Sequence, residues 1–237
     1  MSDPNLLSTP LFSVQQIKAA EVNAVKSGCV SLYELVERAG HAAFELLSER
    51  QANTSKVLVL AGHGNNAADA YITASLLLKS GFDVELQASL ASHPSDELTQ
   101  AINCFQVSGG ETKPFDVTKI AIATIIVDGL LGTGIKGELS SELTKVINTV
   151  NGSNAWILSL DVPSGINPNT GSYQQTAIEA NMTLVFGGLK KGLLTGKARH
   201  CCGEIKLANI GLNEFLPESS TAQINSFTLE NTFLPRR

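Results

Sequence analysis

Three polar turns in this chain each follow directly on an apolar run, and they hold most of the residues able to do chemistry. After "VLVLA" (57–61) comes "GHGNNAAD", with Asn65, Asn66 and Asp69. After "TIIVD" (124–128), which ends in Asp128, comes "GLLGTGIKGE", with Thr133 and Lys136. "WILSLD" (156–161) ends in Asp161 and leads into "VPSG", with Ser164. A carboxylate ending an apolar strand needs a partner, a cation or solvent. Singly, either aspartate is as well explained by capping the turn that follows. As a pair beside Asn66 and Ser164 they form a set of amide, carboxylate and hydroxyl oxygens that suits a hard cation. A carboxylate within reach of a bound molecule can also move a proton.

The first turn has the setting of a phosphate loop without its full signature. Gly62 and Gly64 are followed by Ala67, so G-x-G-x-x-G is incomplete, and no G-x-x-x-x-G-K-[ST] lysine is present. What remains is the backbone: free N–H groups at a helix start near Ala67 can still bind an anion. Lys190 and Lys191 in "FGGLKKGLLTG" stand where they can reach a phosphate or form a solvated turn; the solvated turn is favoured for Lys191. His63 either touches a ligand or fills the rim, and His200 reads as structural or surface.

The elements that must position these residues alternate. The three apolar runs are continuous, as in strands buried on both faces of a parallel sheet. Helical segments at 67–80, 95–108 and 138–150 separate the strands, with shorter strands expected at 83–88, 182–186 and 204–208. Strand–helix alternation predicts an α/β fold of the Rossmann-like, doubly wound kind, a mainly parallel sheet with helices on both faces. In such a sheet ligands bind beyond the carboxyl ends of the strands, so all three turns converge on one rim. An N-terminal helical pair precedes them: 13–27, and a second helix from Ser31, where "SLYE" is a capping box with Glu34.

Composition narrows the partners. The 237 residues are 43% hydrophobic and 16% charged, enough for a substantial core. A net charge of −5 argues against general affinity for nucleic acid or an anionic membrane. No window approaches a membrane span, and "MSDPNLLSTPLFS" lacks the pattern of a secretory signal. Four cysteines without a C-x-x-C pair fit a reduced, cytoplasmic protein. "HCC" at 200–202 reads as a partly buried strand start rather than a metal site.

Taken in order, the turns resemble the NAD(P)H-hydrate epimerase family, whose fold is also called the YjeF N-terminal domain. Its G-P-G-N-N-G-G-D-G, V-D-A-[LI]-[LF]-G-T-G, D-I-P-S-G and F-G-x-x-K-x-G-L-L-T-G stand here as "GHGNNAADA", "VDGLLGTG", "DVPSG" and "FGGLKKGLLTG". "LYELVERAGHAAFELL" resembles the family's L-M-E-R-A-G helix, and "CGEIKLANIGL" its closing strand. The likeness spans about 12–212. It implies one domain over 1–237, with 213–237 an extension or a linker toward an ADP-dependent dehydratase. The end "FLPRR" is similar to the segment that precedes that partner in fused members.

The resemblance also implies a reaction and a site. Members interconvert the R and S forms of NADHX and NADPHX, the hydrated reduced nicotinamide cofactors, and bind potassium; a homodimer is the implied assembly. The potassium ligands fall on Asn66, Asp128 and Ser164. The substrate contacts fall on Asn65, Asn66, Ala67, Ala68 and Asp69, on Gly132, Thr133, Gly134, Ile135, Lys136, Gly137 and Glu138, and on Asp161. We assign Asp161 as acid/base. The departures are His63 for proline and alanine for glycine at 67, 68 and 70. If those positions are helical, alanine suits the backbone and the cost is close approach of a ligand. If one has positive φ, it adds strain of about 1 kcal/mol. Two alternatives are weighed: a non-catalytic ligand-binding or scaffold domain, favoured by the alanines, and a nicotinamide dehydrogenase, weakened by the incomplete glycine fingerprint and the lack of an evident acidic ribose reader, although Glu85 is near that spacing.

Overall fold

The computed structural model describes residues 10–50, 56–89, 93–134 and 137–218. Helix α1 (Val14–Lys26) and helix α2 (Leu32–Glu49) both start in capping boxes, Ser13 with Gln16 and Ser31 with Glu34. The Glu34 N–H donates to Ser31 Oγ at 3.1 Å while the Ser31 N–H donates to Glu34 Oε2 at 2.6 Å, so two orphan donors are met at once. The expected helical pair is present.

Seven strands form one parallel sheet: β2 (Val57–Ala61), β3 (Val84–Ala88), β4 (Thr112–Lys113), β5 (Ile125–Gly129), β6 (Trp156–Leu160), β7 (Met182–Phe186) and β9 (Glu204–Ala208). Their order is β4-β3-β2-β5-β6-β7-β9. Continuous apolar runs became strands buried at every residue in β2, β5 and β7, because helices cover both faces. On one face lie α2, α3 (Asn65–Lys79) and α4 (Asp96–Val107); on the other lie α5 (Val117–Ile122) and α6 (Ser141–Asn151). The doubly wound arrangement follows. Helix α2 sits close on α3 because residue 40 is glycine: a Cβ there would meet Ile72 Cγ2 at 2.4 Å.

Some short elements had no periodic signal to reveal them. Strand β1 (Leu11–Phe12) pairs in parallel with β8 (Leu189–Lys190) in a separate two-stranded sheet. Helix α7 (Ala198–Cys201) replaces the strand start expected at 200–202, and β9 begins only at Glu204. Burial pushes the Cys201 thiol up to about 11 and the Cys202 thiol up to about 12, so both stay protonated packing groups. His200 is exposed.

Glu85 belongs to the scaffold. It sits near the amino end of β3, 5% exposed, with Lys56 Nζ at 2.9 Å and Lys119 Nζ at 3.1 Å. Burial alone would raise its carboxyl, but hydrogen bonds from Lys56, Gln87 and Lys119 outweigh it and hold it at about 2. A folded value below the ordinary 4.5 means stability that is complete above pH 4.5 and fades as pH falls toward 2. Both lysines are half exposed, which screens the pairs. Glu85→Gln is expected to cost on the order of 2 kcal/mol at pH 7 and less than half of that at pH 3. Urea unfolding at the two pH values reads this, and equal costs would refute it.

Candidate active site

The chain leaves β2 toward β3 on one side and later enters β5 on the other, so the loops after β2 and β5 diverge from a switch point. The two strand ends touch there. Gly62 N–H donates to Gly129 O at 3.1 Å, and a Cβ on Gly62 would stand 1.8 Å from Leu130 O. Only glycine fits that crossing. Above it opens a cleft of about 670 Å³ whose walls include Glu21, Asn66, Asp69, Thr133, Asp161 and Lys190.

Helix α3 begins at Asn65, two residues earlier than its expected start. Gly64 is its N-cap and provides no side-chain cap bond. Exposed His63, Gly64 and Asn65 line the cleft mouth, so the uncapped N-terminus opens into it. Ala67, Ala68 and Ala70 are helical and fully buried in the core. A Cβ on Gly129 would meet Ala70 Cβ at 2.5 Å, so Ala70 packs on β5 rather than on a ligand. The helical case stated for the alanines therefore holds, and their side chains leave the cleft wall unchanged.

The three residues expected to hold a cation come together through one residue, Leu131. Asn66 Nδ2 donates to Leu131 O at 2.9 Å, and the Leu131 N–H donates to Ser164 Oγ at 2.9 Å. Ser164 Oγ donates to Asp128 Oδ1 at 2.5 Å. Asp128 also accepts from Ser159 Oγ at 2.7 Å, Ser164 N at 2.9 Å and Leu130 N at 3.3 Å. Burial raises its carboxyl above the usual range, and these hydrogen bonds pull against that rise. Asn66 Oδ1 is buried with no hydrogen-bond partner among the described residues. An orphaned amide oxygen beside a buried carboxylate fits a hard, oxygen-seeking cation. Among the described residues no group of three or more His, Cys, Asp or Glu side chains could hold a metal.

Asp161 lies just past β6 with φ 62, the one non-glycine residue with positive φ among those described. Aspartate tolerates this region better than most residues, and such conformations cluster at working sites. Its Oδ1 accepts from Lys190 Nζ and from the Phe186 N–H at 3.1 Å. Lys190 Nζ also donates to Phe186 O at 2.8 Å, and the lysine is 1% exposed. The pairing of Phe12 with Lys190 across β1 and β8 seals it in. Asp161 Oδ2 takes no hydrogen bond from any described residue, and the side chain keeps 15% exposure. Its free oxygen is thus available to a bound molecule.

Of the turn after β5, Gly132, Thr133, Gly134 and Glu138 line the cleft. Gly137 turns the chain at φ 79, and Ile135 and Lys136 lie outside the described residues. Glu85 is tied to lysines below the strand ends and does not line the cleft, which removes the ribose reader of the dehydrogenase reading. Two residues and one pairing gave no signal in sequence. Glu21 is one of several polar residues of an amphipathic helix, Ser159 is a small residue inside a strand, and the pairing of Lys190 with Asp161 joins positions 29 residues apart.

Comparisons with known proteins agree with this fold. A profile of the YjeF-related protein N-terminus matches residues 32–192. The bifunctional NAD(P)H-hydrate repair enzyme Nnr of Coxiella burnetii is 38% identical over 87% of this chain and 42% of its own length. Nnr of Escherichia coli K12 is 33% identical over 98% of this chain and 46% of its own. The chain thus spans less than half the length of these relatives. The NAD(P)H-hydrate epimerase of Leuconostoc citreum is 31% identical over 88% of this chain and 95% of its own length. The crystal structure of yeast ynu0, YNL200c, superposes with a TM-score of 0.70 at 18% identity, covering 91% of this chain and 98% of that one, which is a likeness of fold. An epimerase that the chain covers almost end to end, a profile spanning the helix at residue 32 through the cleft lysine, and the shared fold lead to one conclusion: this chain belongs to the YjeF-related N-terminus family.

Proposed function

We propose that this protein epimerises R- and S-NADHX and NADPHX, the hydrated nicotinamide cofactors, and so acts in cofactor repair. The observation that carries the reading is the meeting, in one cleft, of an uncapped helix N-terminus and a carboxylate paired to a buried lysine. The first suits the pyrophosphate of a dinucleotide. The second suits proton transfer at a carbon that bears both a hydroxyl and the ring nitrogen. The relative covered to 95% of its length carries the epimerase name. The scaffold alternative rested on the three alanines, whose side chains are in the core.

Asp161 acts as base through its unpartnered oxygen, with Lys190 bonded to the other oxygen and holding the side chain in place. Substrate is contacted by Asn65, Asn66 and Asp69 and by the turn from Gly132 to Glu138, including Ile135 and Lys136; Ala67 and Ala68, also expected as contacts, are fully buried and off the cleft wall. Asn66, Asp128 and Ser164 would hold a potassium ion, which supplies a fixed positive charge beside the helix N-terminus. One domain over 1–237, a homodimer, a cytoplasmic setting and an ADP-dependent dehydratase partner, fused or separate, complete the reading. The four cysteines are free, in keeping with a reducing compartment. Among the described residues no helix is long and apolar enough to cross a membrane.

The reading is tested by chromatographic conversion of R-NADPHX to the S form, above the spontaneous rate, with potassium or a bulky organic cation. Acceleration that needs potassium is expected, and Asn66→Ala should lose the potassium response. No acceleration by folded protein in either salt would end the epimerase reading.

A further inference from the structure

We propose that Asp69 is the general acid that works opposite Asp161 in this cleft, an inference that rests on the epimerase reading above. Asp69 is 8% exposed and lines the cleft, yet its carboxyl takes no hydrogen bond or ion pair from any described residue. The contrast with the other buried aspartate is direct: Asp128 accepts from three residues. A carboxyl left without donors in a buried wall is poorly suited to carry charge. It is well suited to carry a proton toward a ligand.

The surroundings point the same way. Asp69 is faced by Glu21 from α1, by Asp161 from the turn after β6 and by Lys190 from β8, while exposed Lys18 on α1 acts on Glu21. The one buried cation among them is already bonded to Asp161. Burial first, then Asp161 and Glu21, drive the Asp69 carboxyl well above the usual carboxylate range, and Lys190 offsets this only in part. Carboxyls in one site with environments that differ in this way divide into an acid and a base.

The pair balances the reaction without an outside reagent. Asp161 takes the proton from the ring hydroxyl, and the O–H electron pair becomes the second bond of a carbonyl. The carbon–nitrogen bond breaks, its electron pair stays on the ring nitrogen, and Asp69 delivers its proton there. Rotation about the neighbouring carbon–carbon bond presents the other face of the aldehyde. Reclosure returns the nitrogen proton to Asp69 and gives the Asp161 proton to the oxygen, so both carboxyls recover their starting states.

The test is Asp69→Asn assayed for R- to S-NADPHX conversion across pH, beside the wild type. The expected result is a kcat at least 10²-fold lower, on the order of a general-acid contribution, with KM changed by less than about threefold. The basic limb of the kcat profile should vanish. A variant that keeps wild-type kcat, or keeps the basic limb, overturns the proposal. A wild type with no activity overturns it together with the epimerase reading, which is a distinguishable failure. A second readout needs no turnover. Carbon-13 carboxyl NMR of the wild type should show a resonance, absent in Asp69→Asn, that titrates well above the usual range. The proposal is overturned if the resonance lost in Asp69→Asn titrates near pH 4, or, should the variant fail to fold, if no wild-type carboxyl resonance titrates well above the usual range.

Discussion

Asp161→Asn is expected to reduce kcat for epimerisation by about 10²–10⁴-fold, the span attributed to one general acid–base group. The amide keeps the shape of the side chain and can still accept from the Phe186 N–H. What it cannot do is take a proton, so KM should move little while kcat collapses. Lys190→Met separates positioning from proton transfer at the same pair. It leaves the Asp161 carboxylate beside Asp69 and Glu21 without the buried ammonium that holds it. Breaking a buried pair from one side costs several kcal/mol when both ions are enclosed. Here Asp161 keeps 15% exposure, so about 2 kcal/mol is expected. Steady-state kinetics of Asp161→Asn at wild-type levels would remove that residue from the reaction, and urea unfolding of Lys190→Met reads the cost of the pair.

Asp128→Ala is expected to have the largest effect on stability, about 3 kcal/mol. The carboxylate is fully buried and satisfies Ser159, Ser164 and the Leu130 N–H. Each buried donor left unpaired costs about 1–3 kcal/mol, and water admitted to the cavity recovers part of that. Because burial raises the Asp128 carboxyl, its ionisation itself costs stability as pH rises from the unfolded value toward the folded one. That part is relieved in the variant. Asp128→Asn keeps the volume but replaces one acceptor oxygen by a donor that faces donors, so it should recover less than half of the loss. Both variants should lose any response to potassium. Urea unfolding of Asp128→Ala within 1 kcal/mol of wild type would show that Asp128 does not hold the turns together.

The scaffold was legible because its signals are local. The runs at 57–61, 124–128 and 182–186 became the fully buried strands β2, β5 and β7, with β5 one residue later than its run, and the Ser31–Glu34 box began a helix as its spacing required. Asn66, Asp128 and Ser164 were also legible, since each sits at a fixed distance from a strand end and the parallel order brings those ends together. The short elements were not. Two-residue strands such as β1 and β8 carry no period, and α7 is a single turn beside a pair of cysteines. The alanine loop was half legible: sequence posed two backbone cases, and only the start of α3 at Asn65, with no positive φ at 67, 68 or 70, selected between them.

By itself, then, the sequence determined the doubly wound sheet, the strand-end rim and, apart from Asp161, which pairs with Lys190, the oxygen set around Asn66, because hydrophobic period and turn chemistry are properties of neighbours along the chain. Tertiary structure alone decided the electrostatics of the cleft. In sequence Lys190 can reach a phosphate or form a solvated turn; its pairing with Asp161 shows only once β8 lies against β1 and the lysine is buried. Glu21 faces Asp69 only once α1 and α3 line the same cleft, the two residues standing 48 positions apart in the chain. A charge is tuned by whatever lies within a few ångströms in space, and chain order does not encode that distance.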